Sequence, residues 1–85
     1  MSQLASITIF TNNRQSSSIK INAVLSEYSH LIMSRMGVNV QRSCTEHCPG
    51  MILLAVQGDN TKMEELLLKL RSVEETKAEI LVFNE

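Results

Sequence analysis

Three residues of metal-ligand type fall close together in the middle of the chain, where Cys44, His47 and Cys48 share one five-residue segment. Thiolates and imidazole rings are good ligands for zinc, nickel and copper. A closed zinc site takes four ligands, so His30 or a second copy of the chain would have to complete it. Two alternatives remain open. The segment is either a polar hairpin loop with incidental cysteines or a redox pair, although three intervening residues differ from thioredoxin-type spacing.

Arg35 is the second candidate, because it is flanked by methionines and by Gly37. If this segment is a strand, the guanidinium lies among apolar neighbours on a central element. It then needs a carboxylate, phosphate or backbone partner. One interpretation is an anion-binding residue at a subunit interface, with Gly37 beside it. The other is a salt bridge to an acidic residue such as Glu64 or Glu65.

A polar loop after the first predicted strand gives a third candidate, Asn12 and Asn13. Their side chains can hydrogen-bond amino or carboxylate groups, and backbone N–H groups at a helix N-terminus attract anions. The simpler interpretation is that these residues only cap the following helix. Both interpretations place the loop at the start of the first helix.

Catalytic motifs are weak in this sequence. Asp59 and Glu64 surround a predicted helix start, where carboxylates often serve only the helix dipole. Tyr28 falls on an apolar stripe, and the spacing pairs His30 with no nucleophile. The sequence contains no P-loop and no dinucleotide-binding fingerprint. We therefore expect a protein that is not an enzyme, and no particular cofactor is indicated.

These candidates would be positioned by a β-α-β-β-α-β pattern, the ferredoxin-like plan. Strands are predicted at 6–10, 51–57 and 78–83. The second helix is predicted from Thr61 as N-cap, with Glu64 at capping-box spacing. Apolar residues at helical spacing mark the buried faces of the two helices: Ile21, Val24, Leu25, Tyr28 and Leu31 or Ile32 in the first, and Met63, Leu66, Leu67, Leu70 and Val73 in the second.

The end of the first helix has two interpretations. Gly37 alone resembles a helix stop signal. Alternatively the helix ends near Ser29 and His30, and the second strand begins at Leu31. Gly37 would then be a bulge or a point of close approach.

Two predicted strands are apolar on both faces, because the runs at 51–56 and 80–83 contain no polar alternation. A sheet covered by helices on one side normally alternates apolar and polar residues. The pattern supplies only two helices, so another surface must cover the second face. A second copy of the chain is the simplest candidate.

Size and composition limit the possible partners. The 85 residues predict a single domain over 1–85 with a modest core. A formal net charge of −1 and an aromatic content of 4% argue against nucleic-acid binding. Neither a signal peptide nor a membrane-spanning run is recognisable, so we expect no membrane partner and a cytoplasmic location. There Cys44 and Cys48 should be reduced unless they bind metal or act in redox chemistry.

The segment at 32–38, Ile-Met-Ser-Arg-Met-Gly-Val, resembles a segment typical of the iron-only hydrogenase system regulators. The stretch at 52–61, followed by a helix and a final strand, is similar to the rest of that family's pattern. The resemblance implies a ferredoxin-like fold related to ACT domains and to the C-terminal domain of nickel-responsive regulators. Such domains dimerise or tetramerise and often bind small effectors. It also favours a second strand that begins near Leu31.

The chain departs from these relatives at three places. The loop at 12–15 has neither the acidic residue nor the glycine usual in ACT domains, so their amino-acid site is not expected. No His-x-His sequence is present, so the nickel site is not carried over. The connection at 73–76 lacks the family's glycine.

Together these observations predict an α+β fold, with a four-stranded antiparallel sheet in the order 4-1-3-2 and two helices on one face. The predicted function is a regulatory, ligand-sensing domain that acts as a homo-oligomer. A small effector would bind near Asn12, Asn13, Arg35 and Gly37. No DNA-binding segment is recognisable, so regulation through a partner protein is expected. The alternative is a metal sensor or carrier that uses the loop at 44–48.

Overall fold

The computed structural model of the chain describes residues 2–40 and 48–83. These residues form four strands, two helices and a short 3-10 turn. In chain order the elements are β1 (Ser2–Thr11), α1 (Arg14–Glu27), the 3-10 turn (Ser29–Leu31), β2 (Ile32–Asn39), β3 (Gly50–Asp59), α2 (Asn60–Arg71) and β4 (Thr76–Phe83).

The four strands form one sheet in the order β2-β3-β1-β4, with every neighbouring pair antiparallel. This confirms the predicted ferredoxin-like, ACT-like fold and its strand order. Ile7 on the central strand β1 pairs with Leu54 on β3 and with Ile80 on β4. The strands β2 and β4 are the two edges of the sheet.

The core lies between one face of the sheet and the two helices. Both predicted helical stripes are buried there, since each presents apolar side chains one helical turn apart. The largest fully buried side chains are Ile7, Ile9 and Val56 from the sheet, Ile21 from α1, Met63, Leu66 and Leu70 from α2, and Cys48. No helix in the described part of the chain is long and apolar enough to cross a membrane.

The helix α1 ends at Glu27, and β2 begins at Ile32 after the 3-10 turn. The shorter of the two interpretations is therefore confirmed. The predicted bulge at Gly37 is wrong, because the register shift lies between Ile32 and Ser34. This shift puts one extra residue into β2, so the residues that follow change faces of the sheet. As a result, Arg35 pairs with Leu54 and faces the helices.

Each helix begins at a side-chain cap. Asn13 Oδ1 accepts from Ser16 N at 3.3 Å at the start of α1. Asp59 Oδ1 accepts from Thr61 N at 2.7 Å at the start of α2. The predicted N-cap at Thr61 is therefore wrong. Asp59 takes that role because its extended backbone brings the carboxylate to the first free N–H groups.

The other face of the sheet is not covered by any described residue, and it is largely apolar. We call it the open sheet face. Its most exposed apolar side chains are Met36 at 56%, Leu81 at 60% and Phe83 at 48%. Phe10 and Leu53 lie on the same face by strand register. The prediction of strands that are apolar on both faces is thus confirmed.

Candidate functional site

A cavity of about 180 Å³ lies between α1 and the edge of the sheet formed by β2 and β3. Its polar lining comes from both layers. The helix contributes Arg14, Ser18 and Asn22, and the sheet contributes Thr11 and Arg35. The three helical residues are four positions apart, so they share one face of α1. The cavity is thus a partly open cleft, lined by a polar stripe of α1 and by the helix-facing side of β2.

Two glycines give the cavity its space. Gly37 pairs with Ile52 on the helix-facing side of the sheet, and a Cβ atom there would meet nothing within 4 Å. The predicted close approach at Gly37 is therefore wrong, since the glycine leaves open volume. At Gly50 a Cβ atom would lie 3.2 Å from Arg14 Cβ. That glycine lets the arginine stem lie against the start of β3.

Arg35 is exposed, and its Nη2 donates to Asn22 Oδ1 at 3.0 Å. The expectation of an arginine buried on a central element is wrong, because β2 pairs only with β3 and forms an edge. The expected salt bridge to Glu64 or Glu65 is also absent from the described residues, where Arg35 forms no ion pair. The Arg35 contact joins β2 directly to α1.

Arg14 connects the helix to the beginning of β3. Its backbone N donates to Cys48 O at 2.7 Å, and its Nη1 donates to Pro49 O at 3.1 Å. The sequence interpretation did not single out this residue as a ligand-binding one. Its role could have been inferred from the sequence, because Arg14, Ser18 and Asn22 are polar residues at i, i+4 and i+8 and therefore share one helix face.

The predicted ligand-binding residues separate into two groups. Arg35 and Gly37 line the cavity, whereas Asn12 and Asn13 do not. Asn13 caps α1, and the Asn12 backbone N donates to Glu75 O at 3.0 Å. The loop thus carries the capping role that was one of its two interpretations. Ligand binding by any of these residues remains a prediction.

A buried hydrogen-bond chain holds the start of α1 in place. Thr11 Oγ1 donates to Ser17 Oγ at 3.0 Å, and Ser17 Oγ donates to Glu74 O at 3.1 Å. Both hydroxyls are buried. Because buried polar groups without partners are costly, this chain fixes the helix relative to β1 and thereby fixes one wall of the cavity.

Of the predicted metal ligands, Cys44 and His47 lie outside the described residues. Cys48 is fully buried and disulfide-bonded, which differs from the expectation of a reduced thiol. A metal site there would require the Cys48 thiolate, and therefore reduction of this bond. Among residues 2–40 and 48–83, no cluster of three or more ligand-type side chains is found. The metal site remains a hypothesis.

Tyr28 and its surroundings form a second polar group away from the cavity. Tyr28 is buried and its hydroxyl donates to Glu65 Oε1 at 3.2 Å. The ammonium of Lys69 lies 5.2 Å from the tyrosine ring centroid and donates to Glu27 Oε2 at 2.6 Å. The hydrogen bond to Glu27 raises the pKa of Lys69 above its ordinary value. The His30 ring stacks on Tyr28. These contacts pack α1 against α2.

The sequence matches the TM1266-like family over residues 3–79, and the description of that family is "Iron-only hydrogenase system regulator, putative". The match spans most of the 85 residues. The chain belongs to the TM1266-like family. This confirms the resemblance deduced from the segments at 32–38 and 52–61.

Solved structures show the same fold. The uncharacterized protein TM1266 from Thermotoga maritima is 21% identical, with a TM-score of 0.87 over 99% of this chain and 100% of that chain. The ACT domain from GTP pyrophosphokinase of Chlorobium tepidum is 24% identical, with a TM-score of 0.75 over 95% and 100%. CPII, a nitrogen regulatory PII-like protein from Thiomonas intermedia K12, is 12% identical, with a TM-score of 0.56 over 98% and 94%. No curated protein matches the chain in sequence.

Proposed function

We propose that this TM1266-like chain is a regulatory domain that binds a small effector in the cavity between α1 and β2 and works as a homo-oligomer. The family description and the ACT-like fold support a regulatory, ligand-sensing role. In this proposal the chain performs no catalytic step, and a partner protein responds to the effector-bound state.

One observation carries the proposal. The strand β2 separates the cavity from the open sheet face, and its residues alternate between the two. Arg35 and Gly37 face the cavity, whereas Met36, between them, is exposed on the open sheet face. A ligand that moves β2 therefore also changes the apolar surface behind it. Two sites are coupled when one element with two arrangements contributes to both.

The open sheet face is proposed to pack against the same face of a second copy. Its apolar residues come from all four strands and include Leu81 and Phe83 of β4, whereas the charged Lys77 and Glu79 lie at one margin, near the beginning of β4. An apolar centre with a polar margin is the usual anatomy of a protein interface. A twofold interface uses one surface twice, so a self-complementary apolar sheet face suits it.

Native mass spectrometry of the untagged protein, prepared under reducing conditions, tests this proposal. A dimer or tetramer that carries an organic molecule of defined mass is the expected result. A bare monomer at all concentrations would contradict it. An oligomer that carries a metal ion would instead support the metal sensor or carrier, and that mass should then disappear in a Cys44→Ser/Cys48→Ser variant.

A further inference from the structure

We infer that the effector of this cavity is a small organic anion whose carboxylate or phosphate group binds between Arg14 and Arg35. This inference rests on the proposed function, since it specifies the chemical class of the ligand in the same cavity. It does not depend on which face of the sheet assembles.

The charge of the lining carries the inference. Among residues 2–40 and 48–83, two guanidinium groups line the cavity and no acidic side chain does. This is a local excess of positive charge in a chain whose formal net charge is −1. A concave site with one sign of charge attracts a ligand of the opposite sign.

Both guanidinium groups also retain most of their donors. An arginine side chain has five N–H donors. Within the described residues, Arg14 uses one of them on Pro49 O and Arg35 uses one on Asn22 Oδ1. Both acceptors are neutral. A carboxylate or phosphate accepts two parallel N–H bonds from a guanidinium and binds it more strongly than a neutral amide does.

Other cations of the chain do have carboxylate partners. Lys69 pairs with Glu27, and Arg71 lies 3.8 Å from Glu79. In the part of the chain that the structure describes, neither arginine of the cavity forms such a pair. The cavity therefore provides cationic donors that no carboxylate of the described residues occupies.

The volume limits the size of the ligand. The cavity has a volume of about 180 Å³. Pockets for drug-sized ligands begin near about 300 Å³, so this cavity fits a small metabolite rather than a nucleotide. Ile21 and Ile52 contribute an apolar part of the lining, which suits a short hydrocarbon body next to the acid group.

Binding of the acid group would also alter a structural contact. The Arg35–Asn22 hydrogen bond joins β2 to α1. An anion competes for the same guanidinium with a stronger, charge-assisted bond. An anion bound to the free donors would draw the guanidinium towards the acid group, weaken its contact with Asn22 and so shift β2 relative to α1. This change would reach the open sheet face through Met36.

Titration calorimetry tests the inference with three probes: inorganic phosphate, isovalerate and the uncharged isovaleramide. The wild-type chain is expected to bind at least one of the two anions in the millimolar range and not the amide. Arg35→Gln should weaken this binding roughly tenfold or more, since it removes charge-assisted hydrogen bonds. Lys20→Gln removes the same charge from an exposed position on α1 outside the cavity, and it should leave binding unchanged.

Gly37→Val gives a second, independent variant. Its Cβ atom meets nothing within 4 Å, and no glycine among the described residues has a positive φ. Because β-branched residues favour strands, this variant should fold normally while its side chain fills the cavity. Circular dichroism and thermal unfolding would verify the fold. Loss of anion binding in a folded Gly37→Val variant places the ligand in this cavity.

The outcomes distinguish a failure of the anion inference from a failure of the proposed function. Binding of phosphate alone, or of isovalerate alone, identifies which acid group the cavity accepts, and either result supports the inference. Failure of both anions to bind overturns it, as does equal weakening by Arg35→Gln and Lys20→Gln. If native mass spectrometry finds an uncharged organic molecule on the oligomer while both anions fail, the anion inference is wrong and the proposed function stands.

Discussion

Replacement of Leu81 by serine tests whether the open sheet face packs against a second copy. Leu81 is 60% exposed in the single chain. Full burial of a leucine side chain contributes about 1.5–3 kcal/mol, so burial of the exposed part contributes about 1–2 kcal/mol. A twofold interface contains the residue twice, which gives about 2–4 kcal/mol per dimer. Because each 1.4 kcal/mol is tenfold, Leu81→Ser should raise the dimer dissociation constant roughly 30-fold to 700-fold.

The fold of the single chain should change little in this variant. Leu81 pairs with Ser6 on the open sheet face and is not among the residues of the core. Surface substitutions away from buried contacts usually change the free energy of unfolding by less than about 0.5 kcal/mol. Weakened assembly would therefore report on the interface rather than on misfolding.

Sedimentation equilibrium over a range of concentrations measures the dissociation constant directly. The matched control is Leu68→Ser, because Leu68 is 65% exposed but lies on α2. The reasoning is refuted if Leu81→Ser and wild type associate equally. It is also refuted if Leu68→Ser weakens association and Leu81→Ser does not, because the helical layer would then be the interface.

Three further predictions concern the stability of the single chain. Ser17→Ala breaks the buried hydrogen bonds from Thr11 and to Glu74, and it should lower the free energy of unfolding by about 1–3 kcal/mol. Chemical denaturation would measure this loss, and an unchanged denaturation midpoint would show that these hydrogen bonds contribute nothing to stability. Gly58→Ala would place Cβ 2.5 Å from the buried Leu31 Cδ2 and should lower the melting temperature by about 4–8 °C for each kcal/mol lost, so a raised melting temperature would contradict the packing. Glu27→Gln replaces the carboxylate whose hydrogen bond raises the Lys69 pKa by a neutral amide. This variant should therefore be less stable than wild type at neutral pH, and the difference should vanish as the pH rises above 10.5 through the raised pKa. The same loss should shrink in high salt, since the pair is exposed.

The fold could be predicted because its strongest signals are local. The stripe from Met63 to Val73 repeats at helical spacing and is buried as expected. The strand runs at 51–56 and 80–83 are β-branched or apolar, and they fall within β3 and β4. The capping of α2 was misplaced by two residues, because Asp59 and Thr61 are both good N-cap types and only the backbone conformation distinguishes them.

The cavity could not be predicted in the same way, because it depends on register between distant segments. The shift between Ile32 and Ser34 decides that Arg35 faces the helices. A slip of one residue would have sent it to the open sheet face instead. Arg14 was overlooked for the same reason, since only the packing of α1 beside β2 brings residues 14 and 35 to one cavity.

The position of β2 makes it the element through which the proposed ligand would act on the open sheet face. An edge strand has one hydrogen-bonded neighbour, and β2 pairs only with β3. Its cavity side is held by few contacts, since Gly37 has no side chain and Arg35 reaches α1 through a single hydrogen bond. Elements with few buried contacts move at low free-energy cost. An edge strand with few contacts to the helices thus carries residues of both the cavity and the open sheet face.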